Sequence, residues 1–311
     1  ESTAATMFEN GELDQYQPTG DYAIKFEKEA EEGKYQYMVT DYPGTIGLRF
    51  NFINGGTSGL MSNVKIRKAI SYSIDREEMI DAVYGRYNPA YSYVAPAITF
   101  NGSSYRSQVG EVIEDEYNEY VGDPDKIVAL FQEGLDELGV ETPIEDITLT
   151  YLTSGSTTEV QAEREYIQQS LEETLGLTVE LSVAGDNSLF IADRNEGNYD
   201  FFLGGWYSDY NDPLDFLYTN YTDAYGMSFG GYSNTDYDAL ADQLVGETDM
   251  DKRLDIYKQM EQILLLDDCA FAPIYYATKQ VLLQNWVKDY RTSSFGASAE
   301  FIWTYIDGKN Q

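Results

Sequence analysis

Histidine is absent from this 311-residue chain, and cysteine occurs once, at Cys269. The first absence removes the commonest general base and the commonest imidazole metal ligand. Together the two exclude a zinc site of the usual Cys/His kind and any intrachain disulfide. Basic residues are scarce: 20 Lys+Arg stand against 54 Asp+Glu, a net charge of −34. Such a field repels phosphate backbones and anionic lipid heads, so nucleic-acid and membrane-surface roles are not expected. It serves solubility, and it also favours cationic partners. No apolar run reaches the ~20 residues needed to cross a bilayer. The start, Glu1-Ser-Thr-Ala, carries no basic n-region or apolar h-region, so a signal peptide is expected to lie upstream or to have been removed. No phosphate-cradling G-x-x-x-x-G-K-[ST] loop is present, and no histidine is available for a nucleophile triad.

What is present is a globular composition. Hydrophobic residues make up 42% and aromatics 14%, with 28 tyrosines, whose flat apolar face and hydroxyl suit both cores and ligand clefts. Strands are expected over Tyr35–Val39, Ile46–Ile53, Ile147–Leu152, Leu177–Val183, Tyr199–Leu203, Phe271–Ala277 and Gln280–Leu283, by alternation and β-rich composition. Between them, Ile66, Ile70 and Ile74 mark one helix, and Asp75 and Glu78 form a capping box that opens another, ended by Gly85. Further helices are expected over Lys126–Leu138, Glu159–Leu175, Ser188–Arg194, Asn234–Val245 and Asp251–Leu266. Strands alternating with helices argue for an α/β fold. The stretch Tyr91–Gly110 reads as an irregular surface segment, Asn54-Gly-Gly56 as a turn, and the tail Trp286–Tyr305 has no clear period. Lys65, Arg67 and Arg76 are expected on a solvated or ion-paired helix surface, and Cys269 in the interior.

The richest segment runs from Tyr199 to Leu217. An apolar strand passes Gly204-Gly205 and releases Trp206, Tyr207, Ser208 and Asp209, followed by Asn211, Asp212, Pro213 and Asp215. Ligand crevices of open α/β sheets lie at such strand ends. Asp209 is either a ligand contact or a turn carboxylate. Asp212 and Asp215 are expected to cap the helix that Pro213 starts. The acidic spacing does not match an EF-hand loop, and no metal or other cofactor is expected.

Three stretches in order resemble the extracytoplasmic solute-binding proteins (family 5) of oligopeptide ABC importers. Val64–Ile80 is similar to the family's helix pair, Trp206–Leu217 to its W-x-x-D-Y-x-D-P-x-x-F-L stretch, and Lys252 to Tyr276 to its long helix followed by P-I-x-Y-Y. The resemblance implies a periplasmic-binding-protein-like α/β fold of the peptide-binding class, with a mixed sheet flanked by helices. It covers the C-terminal part of such proteins, whose N-terminal portion is expected to be absent here. Residues 1–48 would be a partial first lobe, 49–275 the second, ligand-binding lobe, and 276–311 the return to the first. Paired strands at Arg49, Phe50, Asn51 and Phe52 and at Ile274, Tyr275 and Tyr276 would form the hinge.

The resemblance further implies a binding protein and not an enzyme. It would be a monomer that captures short peptides by lobe closure and passes them to the transmembrane permease subunits of an ABC importer. The expected location is extracellular, on the bacterial surface or in the periplasm, with a lipid anchor upstream. Asp209 would take the peptide's terminal ammonium, and backbone at Gly205, Trp206 and Tyr207 would pair with the peptide. Trp206 and Tyr207 would wall the site, with a place in the core as the alternative for Trp206, and Ser208 would be a further ligand-binding residue. Oligosaccharides or other solutes remain an alternative ligand class on the same fold. A carboxylate-pair hydrolase is an alternative of another kind. With its partner lobe missing, this portion alone is expected not to hold ligand.

Overall fold

In a computed structural model, which describes residues 2–222, 224, 229–295 and 299–309, the chain builds a mixed sheet wrapped by helices. The expected tail and returning segment include positions 296–298 and 310–311, which lie outside the described residues. Helix α1 (Ser2–Glu9), strand β1 (Gln15–Tyr16), helix α2 (Asp21–Glu31) and the long strand β2 (Gln36–Phe50) come first. Helices α3 (Val64–Tyr72) and α4 (Arg76–Met79), strands β3 (Asn88–Pro89), β4 (Thr99–Phe100) and β5 (Ser103–Ser104), and helices α5 (Tyr105–Val109), α6 (Glu114–Tyr120) and α7 (Pro124–Leu138) follow. A βαβ unit then runs through β6 (Thr148–Ser154), α8 (Thr158–Leu175) and β7 (Thr178–Ala184), and α9 (Asn187–Glu196) leads into β8 (Phe201–Tyr207). The chain closes with α10 (Pro213–Leu217), α11 (Thr235–Gln243), α12 (Met250–Gln262), β9 (Phe271–Leu283), and the short β10 (Val287–Lys288) and β11 (Tyr305–Ile306).

The main sheet has the order β1-β9-β2-β8-β6-β7, with β3 also on β9. β6 pairs in parallel with β7 and β8, and the other neighbours are antiparallel. Two expected pairs of strands are single strands: Tyr35–Val39 merges with Ile46–Ile53 into β2, and Phe271–Ala277 with Gln280–Leu283 into β9. The β2–β9 ladder is interrupted by a register shift between Asp41 and Thr45. That shift divides the packing. Before it, Tyr35, Phe8, Tyr16, Phe26 and Leu282 make a small aromatic core. Past it, Ile46, Leu48 and Phe50 join the large core beneath α3, α7 and α8.

Local signals behave as the sequence implies. Asp75 accepts from the Glu78 amide, Asn234 from those of Asp236 and Tyr237, and Gly139 and Gly176 close their helices with positive φ. Non-local burial does not. Arg67 and Arg76 are interior rather than surface residues, at 4% and 0% exposure. Arg67 Nε donates to the carbonyls of Asp268 and Cys269, and Arg76 Nε to those of Ala90 and Pro273. These two guanidiniums serve as internal ties between α3–α4 and the start of β9. Lys65, by contrast, pairs with Glu133 and Glu137 at the surface.

The stretch 91–110 is neither wholly irregular nor superficial: it carries the β4–β5 pair and α5, and Tyr93, Val94, Ala95, Ile98 and Tyr105 are fully buried against α12. Its backbone is held by Glu261, itself wholly buried, which accepts from the amides of Tyr93 (3.2 Å) and Val94 (3.0 Å), from Tyr105 Oη (3.0 Å) and from Arg106 Nη2 (2.6 Å). Polar atoms of a loop can be buried only when paired in this way. Glu261→Ala would strand the Arg106 guanidinium inside the fold. The expected loss is about 3–5 kcal/mol of unfolding free energy, read from urea-denaturation midpoints, and a loss below about 1 kcal/mol would show that Glu261 holds nothing.

Candidate functional site

Strand β8 continues through the glycine pair to Tyr207 instead of stopping at Leu203. Glycine is needed at 205: a Cβ there would stand 1.9 Å from the Thr45 carbonyl oxygen of β2. On its other side, β8 meets β6 only at Phe201 and Phe202. Among the described residues, the strand from Leu203 to Tyr207 therefore has a neighbour on β2 alone. The Ser208 amide bonds to the Pro43 carbonyl (2.7 Å). Antiparallel alternation then turns the backbone groups of Gly205 and Tyr207 toward the open edge.

The residues after the strand divide into engaged and unengaged carboxylates. Asp212 caps α10, accepting from the Leu214 amide (2.8 Å), and also accepts from Tyr257 Oη (2.8 Å). Asp215 is not a helix cap. It is buried, and its Oδ2 accepts from Trp206 Nε1 (2.8 Å) and the Asp209 amide (2.9 Å), with Ser208 Oγ at 2.8 Å. Asn211 is held by Thr99. The Asp209 side chain is exposed and, among the described residues, takes no hydrogen bond and no ion pair.

Trp206 and Tyr207 go to opposite faces of the sheet, as successive strand residues must. Trp206 packs on the core formed by Phe216, Leu217 and Phe271. Tyr207 crosses Gly44, where an added Cβ would lie 2.3 Å from the ring, and meets Tyr42 with ring centroids 5.7 Å apart. Its face opens into a cavity of about 300 Å³ lined by Gln17, Tyr42, Tyr87, Tyr207, Ala277, Thr278 and Lys279. Burial lowers the Lys279 ammonium below the usual lysine range. Sequence reading missed Tyr42, Tyr87 and Lys279; the Pro43-Gly44 break inside a strand and the polar pair Thr278-Lys279 were the available signals.

The expected hinge segments do not pair with each other. Arg49 stands opposite Phe271, whereas Tyr275 and Tyr276 stand opposite Ile46 and Thr45, and Asn51 and Phe52 lie beyond the strand. Alternation alone could not supply that offset, because it gives the face a residue takes and not its cross-strand partner. These residues are also tied down. Arg49 bonds Asn220 (2.9 Å) and Tyr93 Oη (2.6 Å), and Phe50 and Ile274 are fully buried. Asn51 bonds the carbonyls of Gly197 and Tyr199, while the Phe52 amide bonds Gly230. Tyr276 donates to Glu111 (2.6 Å), and Tyr275 stacks on Tyr87 at 4.4 Å.

Behind that stack Tyr84 donates to Glu163, which burial and the nearby Glu159 push up to about 7 against the opposing effect of the Tyr84 bond. Arg86 pairs with Glu159 at 2.6 Å beside them.

The family model described as bacterial extracellular solute-binding proteins, family 5 Middle, matches residues 1–228. The chain is 29% identical over 286 residues to the dipeptide-binding protein DppE of Bacillus subtilis, covering 91% of the chain and 48% of that protein. It is 31% identical over 237 residues to the oligopeptide-binding protein OppA of the same organism, covering 74% and 39%. Among solved structures, Listeria monocytogenes OppA bound to peptide superposes with a TM-score of 0.76 at 28% identity, over 98% of the chain and 56% of that structure. An oligopeptide ABC transporter substrate-binding domain from Bacillus anthracis gives 0.79 at 23% identity, over 98% and 57%. The chain thus spans about half the length of these relatives.

Gly205→Ala is expected to force β2 and β8 apart at a cost of about 1–3 kcal/mol, visible as a lowered denaturation midpoint; an unchanged midpoint would place the strands farther apart than described. The raised Glu163 pKa gives a second test. The folded protein holds that proton more tightly than the unfolded chain, whose carboxyl titrates near the ordinary 4.5. The resulting stability is present below 4.5 and lost as pH rises through about 7. Relative to Glu163→Gln, the wild type should lose thermal stability across that window, and parallel pH profiles would contradict the assignment.

Proposed function

We propose that this chain, which belongs to the family 5 bacterial extracellular solute-binding proteins, supplies one wall of a peptide-binding cleft and the strands about which that cleft closes. One observation carries the reading: a strand edge from Leu203 to Tyr207, unpaired among the described residues, leads directly to Asp209, a carboxylate that none of their donors engages. An extended peptide added to that edge gains main-chain hydrogen bonds that do not depend on its sequence. Asp209 would receive the terminal ammonium as a charge-assisted pair and so fix the peptide's direction. No bond is made or broken in this scheme.

Closure would bend β2 and β9 at the register shift, around Asp41–Thr45 and Ala277–Lys279, where two cores meet along the same strands. Arg49–Phe52 and Ile274–Tyr276 would then ride with the larger body. The lobe boundary would fall at that shift, near residue 48, with the chain after Tyr276 returning to the smaller core. The intact protein would work outside the cytoplasm as a monomer, anchored through its leader, and deliver peptide to the permease subunits of an ABC importer. Among the described residues no helix is long and apolar enough to cross a membrane.

The test is calorimetric titration of the intact protein with matched peptides bearing free or acetylated N-termini. Free peptides should bind about tenfold tighter or better, a difference of ~1.4 kcal/mol, and Asp209→Asn should erase the preference. Equal affinity in the wild type removes Asp209 from the reading. Binding of oligosaccharides but no peptide would overturn the ligand class.

A further inference from the structure

Resting on the reading of Asp209 as the ammonium anchor, we propose that Asp215 is the positioning residue for that anchor and sets how strongly the protein distinguishes a free peptide N-terminus from a blocked one. The need for such a residue follows from where the strand ends. β8 is held by β2 up to Tyr207, and the Ser208 amide makes the last bond to that strand. Asp209 and Tyr210 are exposed, and the backbone beyond has left the sheet. A charge at the tip of an unsupported turn samples many positions, and its interaction with an ammonium is averaged down accordingly.

Asp215 removes that freedom from the far side. Its Oδ2 takes the Asp209 amide at 2.9 Å and the indole N–H of Trp206 at 2.8 Å, thereby bracketing the turn at both ends. Ser208 Oγ stands 2.8 Å from the same oxygen and 2.6 Å from the Tyr210 carbonyl, so its one proton serves either acceptor within the same turn. The clamp has a firm base. Asp215 sits on α10, which is capped by Asp212 and pinned by the fully buried Phe216 and Leu217, and Phe216 packs edge-on to Tyr93 at 5.3 Å. Core packing is thereby transmitted through one carboxylate oxygen to the backbone that carries Asp209. A carboxylate suits this task because one of its oxygens can accept from several donors at once, and Asn offers a neutral acceptor of lower capacity.

Asp215→Ala and Asp215→Asn in the intact protein, titrated with the free and acetylated peptides, test the assignment. The expected result is that Asp215→Ala weakens the free peptide by about tenfold and the acetylated one by less than about twofold. Asp215→Asn, which keeps an oxygen but not its charge, should weaken the free peptide by about threefold. A merely structural role would lower both affinities together and leave their ratio at the wild-type value, and that result in either variant overturns the proposal. If Asp215→Ala does not fold, the ratio in Asp215→Asn decides alone. A wild type that shows no preference overturns the reading of Asp209 and not the clamp. In that case amide hydrogen exchange decides: Asp209 N–H should exchange at least about tenfold faster in Asp215→Asn than in the wild type, and equal rates overturn the clamp.

Discussion

The β2–β9 ladder is the constraint on which the remainder depends. These two strands run through both cores, and every other strand of the main sheet is attached to one of them directly or through β8. β8 takes its place from β2, residue by residue from Gly44–Tyr207 to Phe50–Phe201. The position of the candidate site is therefore a consequence of β2. The buried guanidiniums reinforce the same axis: Arg67 and Arg76 hold the start of β9 against α3 and α4, and Arg49 on β2 reaches Asn220 and Tyr93. Buried ion and guanidinium networks stabilise only when their donors are well met, and here backbone carbonyls do most of that work.

The site divides its acids by task. In a chain of charge −34, carboxylates are plentiful and individually uninformative. What separates Asp209 from Asp212 and Asp215 is engagement: the latter two are consumed in building the turn and its helix, and the former is left to the solvent. The aromatic residues divide in the same manner. Trp206 is half-buried and hydrogen-bonded through its ring nitrogen, while Tyr207 faces a cavity with Tyr42 and Tyr87 on the opposite side of the sheet.

Features with short-range causes were legible in the sequence. The caps at Asp75 and Asn234 and the helix ends at Gly139 and Gly176 are set by residues within one turn, so their patterns suffice. The segment around Trp206–Leu217 was legible as a location for the same reason, and the resemblance of three stretches fixed the family. What escaped was set across the chain. Arg67 and Arg76 look like surface cations until carbonyls some two hundred residues later are brought to them. Tyr91–Gly110 looks like a surface loop until Glu261 satisfies its amides. Asp215 resembles a helix-start acid, and its partners lie upstream, on a strand whose end the sequence placed too early.

The ring of Tyr207 lying across Gly44 has a consequence for how this surface can change over generations. A side chain at position 44 and an aromatic at position 207 compete for one volume, so the fold admits either but not both. Substitution at 44 is closed until 207 has shrunk, while 207 can shrink at any time. The route from a tyrosine-faced cavity to a roomier one is thus open in a single step, and once a larger residue has settled at 44 the way back requires two.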